Sequence, residues 1–160
     1  MLAHYFDYSM REGELHGRLV VWPDAPIAAA VWQLPMDAAQ ILCACAAKAE
    51  FLADTLGAAG ADTYRRIIGF MEPRAAAVVE PSAWYLSIVG VAPAAQGQGT
   101  GARLIGPTLA QADRAGASCY LETFDERNPR FYHRLGFRVV ATHTEPLTGS
   151  PYSIMIRHPA

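Results

Sequence analysis

The sequence predicts one mixed α/β domain, built on a mostly antiparallel sheet that contains one parallel pair of strands and is flanked by helices. A strand–helix–strand passage over residues 84–123 accounts for the parallel pair, because such a crossover joins parallel strands. Short connections over residues 17–34 and 137–157 favour antiparallel pairs on either side of that passage. The 160 residues are assigned to a single domain, since that length suits one core.

Composition and charge exclude several classes of protein. The chain is 52% hydrophobic and 18% charged, which is typical of a globular protein rather than a disordered one. The net charge of -2 and the scattered basic residues argue against a nucleic-acid-binding protein, which needs a basic surface. No apolar run is long enough for a membrane span and no signal peptide is visible, so we expect a cytoplasmic protein without a membrane partner.

The three cysteines indicate neither a disulfide framework nor a metal site. Cys43, Cys45 and Cys119 are odd in number and lack framework spacing, which fits a reducing compartment. Cys43 and Cys45 diverge if they lie on a helix, and no cluster of Cys or His accompanies them. We therefore expect no metal and treat these two cysteines as small core residues.

The N-terminal half is predicted to contain a short helix, a hairpin and two further helices. The helix lies within residues 1–15, and the hairpin strands span residues 17–22 and 27–34. Asp37 is suited to cap a helix that ends at Gly57. Asp62 is suited to cap the next helix, which Pro73 ends.

The C-terminal half is predicted to alternate strands and helices. Pro107 should kink the long helix of this half, and Asn128-Pro129 should open the short one. The predicted strands are 84–91, 118–123, 137–144 and 152–157, and the predicted helices are 99–115 and 128–135.

The loop between the strand 84–91 and the helix 99–115 is the strongest functional signal. Glycines at 97, 99 and 101 have no side chains to shield the main chain, so several backbone N–H groups can point at one anion. The helix that follows adds the positive end of its dipole and its unpaired N–H groups. The loop therefore predicts a site for a phosphate or pyrophosphate group.

Three alternatives to this interpretation exist, and residue type and spacing argue against two of them. A P-loop needs a lysine after its glycines, and none is present. The run Gly97–Ala102 formally fits the dinucleotide pattern G-x-G-x-x-G/A, with Glu122 as the ribose-binding acid. However, five residues separate the strand from the first glycine, and only one strand–helix–strand passage is present, so this alternative is disfavoured. A glycine-rich turn without a ligand stays open.

Two separate motifs carry a resemblance to a known family. The run Val89-x-Val91-x-Pro93-x-x-Gln96-Gly97-x-Gly99-x-Gly101 resembles the acetyl-CoA motif Q/R-x-x-G-x-G/A of the GNAT superfamily of N-acetyltransferases. The second stretch, Leu121-Glu122-Thr123 followed by Asn128-x-x-x-Tyr132-x-x-x-Gly136-Phe137, is similar to the family's later strand and tyrosine helix. Over residues 17–159 the chain is most similar to the subfamily of puromycin N-acetyltransferase.

The resemblance implies a fold, a reaction and a set of cofactor-binding residues. The fold is the GNAT fold, in which the parallel strands splay apart and the cofactor enters the gap. The reaction is direct acetyl transfer from acetyl-CoA, as co-substrate, to an amine of a small molecule, such as an antibiotic-like or aminoacyl compound. The residues implied to bind the cofactor are Val89, Gly90, Val91, Gln96, Gly97, Gln98, Gly99, Thr100, Gly101, Ala102 and Asn128.

The resemblance also implies two catalytic residues. Tyr132 is the candidate general acid that protonates the CoA thiolate, and its alternative is a core tyrosine beside Phe131 and Phe137. Glu122 is the candidate general base for the amine, and its alternative is a charge-paired residue at the end of a strand. Asn128 has a second interpretation as a helix cap. His133 is assigned to the surface.

The front of the chain departs from the family pattern. Family members begin with a strand and two helices before the hairpin, whereas residues 1–16 precede it here, so that region is expected to be shortened. The acceptor pocket would then lack part of its wall. The sheet edge beside Val20 and Val21 would be bare, which favours pairing with a second copy as a homodimer. A non-catalytic acyl-CoA-binding or assembly module of the same fold is the alternative function.

Overall fold

The computed structural model describes residues 2–125 and 127–160 as a six-stranded mixed sheet with helices on both faces. The helices are α1 (Leu2–His16), α2 (Ala38–Ala76), α3 (Thr100–Ala115) and α4 (Asn128–His133), with a 3₁₀ turn at Pro93–Ala95. The strands are β1 (Gly17–Val21), β2 (Ala28–Gln33), β3 (Trp84–Val91), β4 (Cys119–Thr123), β5 (Arg138–Thr144) and β6 (Pro151–Arg157). These bounds confirm every predicted strand to within a residue or two.

The sheet has the order β1-β2-β3-β4-β6-β5. The pairs β1–β2, β2–β3, β4–β6 and β5–β6 are antiparallel, and β3–β4 is parallel. The mixed, mostly antiparallel fold class predicted from the sequence is therefore confirmed.

The parallel pair separates soon after it begins. Pairing between β3 and β4 is confined to Trp84 with Cys119 and Tyr85 with Tyr120. Beyond these two rungs β3 continues for six more residues and pairs only with β2 among the described strands. The edge of β3 that faces β4 is therefore open over most of the strand.

A β-bulge at Ser87 lies where the two strands part. Leu86 pairs with Trp32 and Ile88 pairs with Val31, so Ser87 is the extra residue of β3. Its hydroxyl donates a hydrogen bond to the carbonyl oxygen of Val31 over 3.1 Å. Because a bulge shifts the alternation of side chains, Leu86, Val89 and Val91 all pack toward the main core.

The main core lies between the sheet and α3. The helix is amphipathic, and its buried positions Leu104, Ile105, Thr108, Leu109 and Ala112 recur at helical spacing. Trp32, Leu121, Phe137 and Met155 come from four strands or strand ends and are almost fully buried against it. On the other face Met71 of α2 packs with Tyr152 and Ile154.

The range of α2 contains two helical segments that meet at Gly57, where the sequence predicted the first helix to end. Asp37 caps it as predicted, in a reciprocal capping box with Gln40. Gly57 has φ 67 and ψ 175, which are not helical angles, so the first helical segment ends there as predicted. Asp62 is inside the helix, where it pairs with Arg65 at 3.2 Å, so its prediction as a cap was wrong.

Pro73 also lies inside α2 rather than ending it. Proline there removes the donor to the carbonyl of Gly69, but Gly69 is exposed and that carbonyl can reach water. Pro107 likewise lies within α3, which runs on to Ala115 and ends at Gly116 with φ 63 as expected for a C-cap.

Two further expectations concern cysteines and membrane segments. Cys43 and Cys45 are exposed on α2, so their assignment to the core was wrong, whereas Cys119 is buried. Among the described helices, no stretch combines the length and the apolar character that a membrane crossing demands.

Candidate active site

The glycine loop forms a tight structure whose side chains bind the loop itself. Gln96 Nε2 donates to the carbonyl of Val91 and Gln98 Nε2 to that of Ala94, both at 2.9 Å. The buried Thr100 hydroxyl donates to the carbonyl of Ala95 at 2.8 Å. These three polar side chains therefore shape the loop rather than reach for a ligand.

The backbone of the loop is left free for an anion. Gly97 and Gly99 have φ 75 and φ 77, a conformation that side chains other than glycine adopt at a cost. Within residues 2–125 and 127–160, nothing accepts a hydrogen bond from the N–H groups of Gly97, Gly99 or Gly101. These groups stand at the N-terminus of α3, where the helix dipole also favours negative charge.

Gly101 forms the floor of a cleft between the loop and α4. A Cβ atom at this position would lie 3.1 Å from Cζ of Phe131 and 3.7 Å from Cγ2 of Val91. The absence of a side chain therefore keeps open the gap between β3 and α4.

This cleft has a volume of about 590 Å³ and brings together most of the predicted cofactor residues. It is lined by Val89, Val91, Gln96, Gly97, Gly99, Thr100, Gly101, Ala102, Asn128 and Tyr132. Gly90 and Gln98 are outside the lining, and the Gln98 side chain turns back to the loop. Its row of free N–H groups at a helix N-terminus is suited to the pyrophosphate of a ligand such as acetyl-CoA.

Tyr132 reaches the same cleft from α4. Its ring packs edge-on against Phe131 and Phe137, with centroids 4.9 Å and 5.8 Å away. Burial raises the pKa of the phenol, so it keeps its proton at neutral pH. Tyr132 thus packs in the core, as expected of a core tyrosine. It also keeps a protonated hydroxyl, as a general acid requires.

Asn128 joins the end of β4 to the start of α4. Its Nδ2 donates to the hydroxyl of Thr123 over 3.0 Å, and it lines the cleft beside Tyr132. Arg127 occupies the N-cap position of α4 and provides no side-chain cap there. Neighbouring His133 is exposed, as predicted, with Nδ1 3.0 Å from the carbonyl oxygen of Phe137.

A second, larger cavity of about 790 Å³ lies between the sheet and the helices α1 and α2. Tyr85, Ser87 and Ile88 of β3 and Tyr120 and Glu122 of β4 form its floor. Its walls come from α1 and α2, so helices do enclose this side of the sheet.

Glu122 lies in this second cavity, on the strand where β3 and β4 part. Tyr85 Oη donates to Glu122 Oε2 over 3.4 Å, while Oε1 is buried and has no hydrogen-bond partner in the described part of the chain. Burial raises the pKa of Glu122, the charge of Glu72 raises it further, and the bond from Tyr85 opposes the shift. A partly buried carboxylate with a spare oxygen and a raised pKa is suited to accept a proton.

The floor around Glu122 is aromatic. Tyr85 and Tyr120 stack with centroids 4.6 Å apart and planes at 18°. Burial and the charge of Glu122 raise the pKa of Tyr120 to about 12, and the same two causes raise that of Tyr85. Both phenols are therefore neutral hydrogen-bond donors at physiological pH.

The structure adds lining residues that the sequence analysis did not single out. Arg127 and Arg134 line the cofactor cleft, and their positions beside Asn128 and Tyr132 were a usable signal. Tyr5, Tyr64 and Glu72 line the larger cavity. No sequence pattern linked these three, because they lie on two helices far apart in the chain.

Within the described ranges 2–125 and 127–160, no group of three or more His, Cys, Asp or Glu side chains is arranged to hold a metal ion.

A mixed six-stranded sheet with one parted parallel pair and helices on both faces is the fold of GNAT acetyltransferases. The chain belongs to this family, because the sequence profile of the acetyltransferase (GNAT) domain matches residues 47–139, more than half of its length. The match includes the glycine loop, Glu122 and Tyr132.

Solved structures agree on the fold. The chain is similar to the histone acetyltransferase HPA2 and related acetyltransferase from Corynebacterium glutamicum, with 23% identity, TM-score 0.67, and 99% of this chain and 74% of that chain covered. It is similar to the polyamine N-acetyltransferase of Drosophila melanogaster, with 17% identity, TM-score 0.59, and 86% and 72% covered. The Naa20 protein of Chaetomium thermophilum, in complex with a bisubstrate analogue, matches with 18% identity, TM-score 0.56, and 99% and 73% covered.

Proposed function

We propose that this protein transfers the acetyl group of acetyl-CoA directly to an amine of a small molecule. The observation that carries the proposal is the pair of cavities that border β3. One is lined by the glycine loop and Tyr132, and the other by Glu122. Such an arrangement lets two substrates approach one reacting centre from different sides of the sheet.

The residues of the smaller cleft would hold acetyl-CoA. The free N–H groups of the loop at Gly97, Gly99 and Gly101 would bind its pyrophosphate. The open edge of β3 would accept the pantetheine arm as an added strand, and Asn128 would hydrogen-bond to it.

The proton transfers would be divided between the two cavities. Glu122 would take a proton from the acceptor ammonium, so that the neutral nitrogen attacks the thioester carbonyl. Tyr132 would then give its proton to the departing thiolate as the carbon–sulfur bond breaks. The pKa shifts support this division, because burial keeps Tyr132 protonated and makes Glu122 a stronger base.

Several finer expectations stay predictions. They are the likeness to the puromycin N-acetyltransferase subfamily, the shortened front segment, the cytoplasmic location and the homodimer. In the described sheet β1 is an edge strand and Val21 is exposed, which supports pairing with a second copy there.

Binding and transfer are best tested together. Calorimetric titration should show acetyl-CoA binding, and mass spectrometry should show one acetyl group added to members of an amine panel that includes puromycin. Absence of binding at high micromolar acetyl-CoA would contradict the proposal. Binding without transfer to any amine would favour the acyl-CoA-binding module instead.

A further inference from the structure

We infer that the larger cavity selects an acceptor that carries a second positive charge, apart from the nitrogen that is acetylated. The inference rests on the proposed function, since it names the substrate class of the same site. It is carried by the charges, the aromatic rings and the exposure of the residues around that cavity.

The cavity has an excess of unpaired carboxylates. Glu12 is held by Lys48 at 2.7 Å, and Arg65 is paired with Asp62 outside the lining. In the described ranges, none of the other acidic lining residues, Glu72, Glu80 and Glu122, has an ion-pair partner. Besides Lys48 and Arg65, the lining also contains the imidazole of His16. The field inside the cavity therefore favours cations.

The aromatic lining favours the same class of ligand. Tyr5 and Tyr64 lie with their ring centroids 6.2 Å apart, and Tyr85 stacks on Tyr120. The faces of such rings attract ammonium and guanidinium groups. Apolar side chains of α2, among them Leu52, Ile68 and Met71, complete a surface suited to an alkyl chain between charged ends.

The carboxylates Glu122 and Glu72 lie at different places in the cavity, so each can serve a different positive charge of the acceptor. Glu122 is partly buried on the floor, where it can take the proton of the reacting nitrogen, which becomes neutral before it attacks. Glu72 is exposed on α2, at the rim of the cavity. A second cation on the acceptor keeps its charge throughout the reaction and is the permanent partner for Glu72.

The test compares three acceptors of equal chain length that differ in their far end: hexamethylenediamine, n-hexylamine and aminocaproate. We expect kcat/KM to fall in that order, with about tenfold between the first and the last at low salt. Added salt should reduce the preference, because the rim is exposed.

The variant Glu72→Gln removes one charge from the rim. It should lower the ratio of kcat/KM for hexamethylenediamine to that for n-hexylamine by about threefold or more, mainly through KM. Glu50→Gln is the matched control, because Glu50 is exposed on the same helix and is not part of the cavity lining. It should leave the ratio unchanged.

Equal kcat/KM for the three amines, or an unchanged ratio in Glu72→Gln, would overturn this inference while acetyl transfer itself still supported the proposed function. If no amine were acetylated, calorimetry with CoA present would decide the two questions separately. Tighter binding of hexamethylenediamine than of aminocaproate would then support the charge preference, and equal or weaker binding would overturn it.

Discussion

The two cavities beside β3 are built by different means. The cofactor cleft combines the free backbone N–H groups of the glycine loop with side chains of β3 and α4. The larger cavity is formed by side chains from α1, α2, β3 and β4. A site built on the backbone of one loop is therefore visible as a local sequence motif. A site made of side chains from distant elements depends on the finished fold.

The largest expected effect comes from the hydroxyl of Tyr132, which lies in the cofactor cleft. Tyr132→Phe keeps the ring that packs against Phe131 and Phe137 but removes the acid, so kcat should fall about 100-fold. Acetyl-CoA affinity, measured by calorimetry, should change less than about twofold. Tyr8→Phe is the control, since Tyr8 stacks on Phe51 and lines neither cavity. An unchanged kcat in Tyr132→Phe would remove it from the mechanism.

The floor of the cofactor cleft can be filled without touching the acceptor cavity. Gly101→Val places atoms against Phe131 and Val91, so acetyl-CoA should bind at least about tenfold more weakly. Gly106→Ala is the matched control in the same helix, because a Cβ atom there meets no other atom within 4 Å. Circular dichroism should show that both variants fold. Equal acetyl-CoA affinity in the two variants would contradict the assignment of the cleft.

On the acceptor side, Glu122→Gln should lower kcat/KM about tenfold near neutral pH. In the unchanged protein, kcat/KM should fall as pH falls through the raised pKa of Glu122, and the variant should lose this limb of the pH profile. A pH profile that keeps the limb would show that another group is the base.

The same variant should be more stable than the unchanged protein. Because the folded-state pKa of Glu122 is above its usual 4.5, ionisation disfavours the folded state, and the loss of stability is complete once pH exceeds the folded pKa. Thermal melting at neutral pH should therefore show a Tm for Glu122→Gln that is higher by about 2 °C.

The smallest effect tests whether the helical wall acts only on the acceptor side. Asp37→Ala removes the capping box of α2 and should cost about 1 kcal/mol of stability. The KM for the acceptor amine should rise by about twofold, with acetyl-CoA affinity unchanged. Asp54→Ala, at an exposed position in the middle of the same helix, should change neither the stability nor the KM for the acceptor amine. Equal weakening of both substrates in Asp37→Ala would show that α2 supports the two cavities alike.

The strands and the glycine loop could be predicted from the sequence because their causes are local. The aromatic and β-branched residues of β3 favour a strand, and a loop that must bend with positive φ needs glycine at 97 and 99. The errors at Asp62 and Pro73 have the opposite origin. The second segment of α2 includes Asp62 and continues past Pro73, because packing against the rest of the protein overrides these local signals.

The acceptor cavity was much less predictable. Glu122 was predicted, but its contact with Tyr85 depends on the parallel register that pairs Tyr85 with Tyr120. The bulge at Ser87 breaks the simple alternation expected along β3, and it is defined only by the register with β2. Tyr5 and Glu72 reach the cavity from helices whose docking no local pattern specifies.

The position of β6 between β4 and β5 has a consequence for synthesis of the chain. During translation β5 emerges before β6, so β4 and β5 are both made while the strand that joins them is still missing. Arg157 of β6 then binds the carbonyl oxygen of Leu135 at 3.0 Å and the carboxylate of Asp113. Arg157 therefore couples the segment that follows α4, and with it Tyr132, to α3, and this coupling forms only after β6 has been made behind β4 and β5.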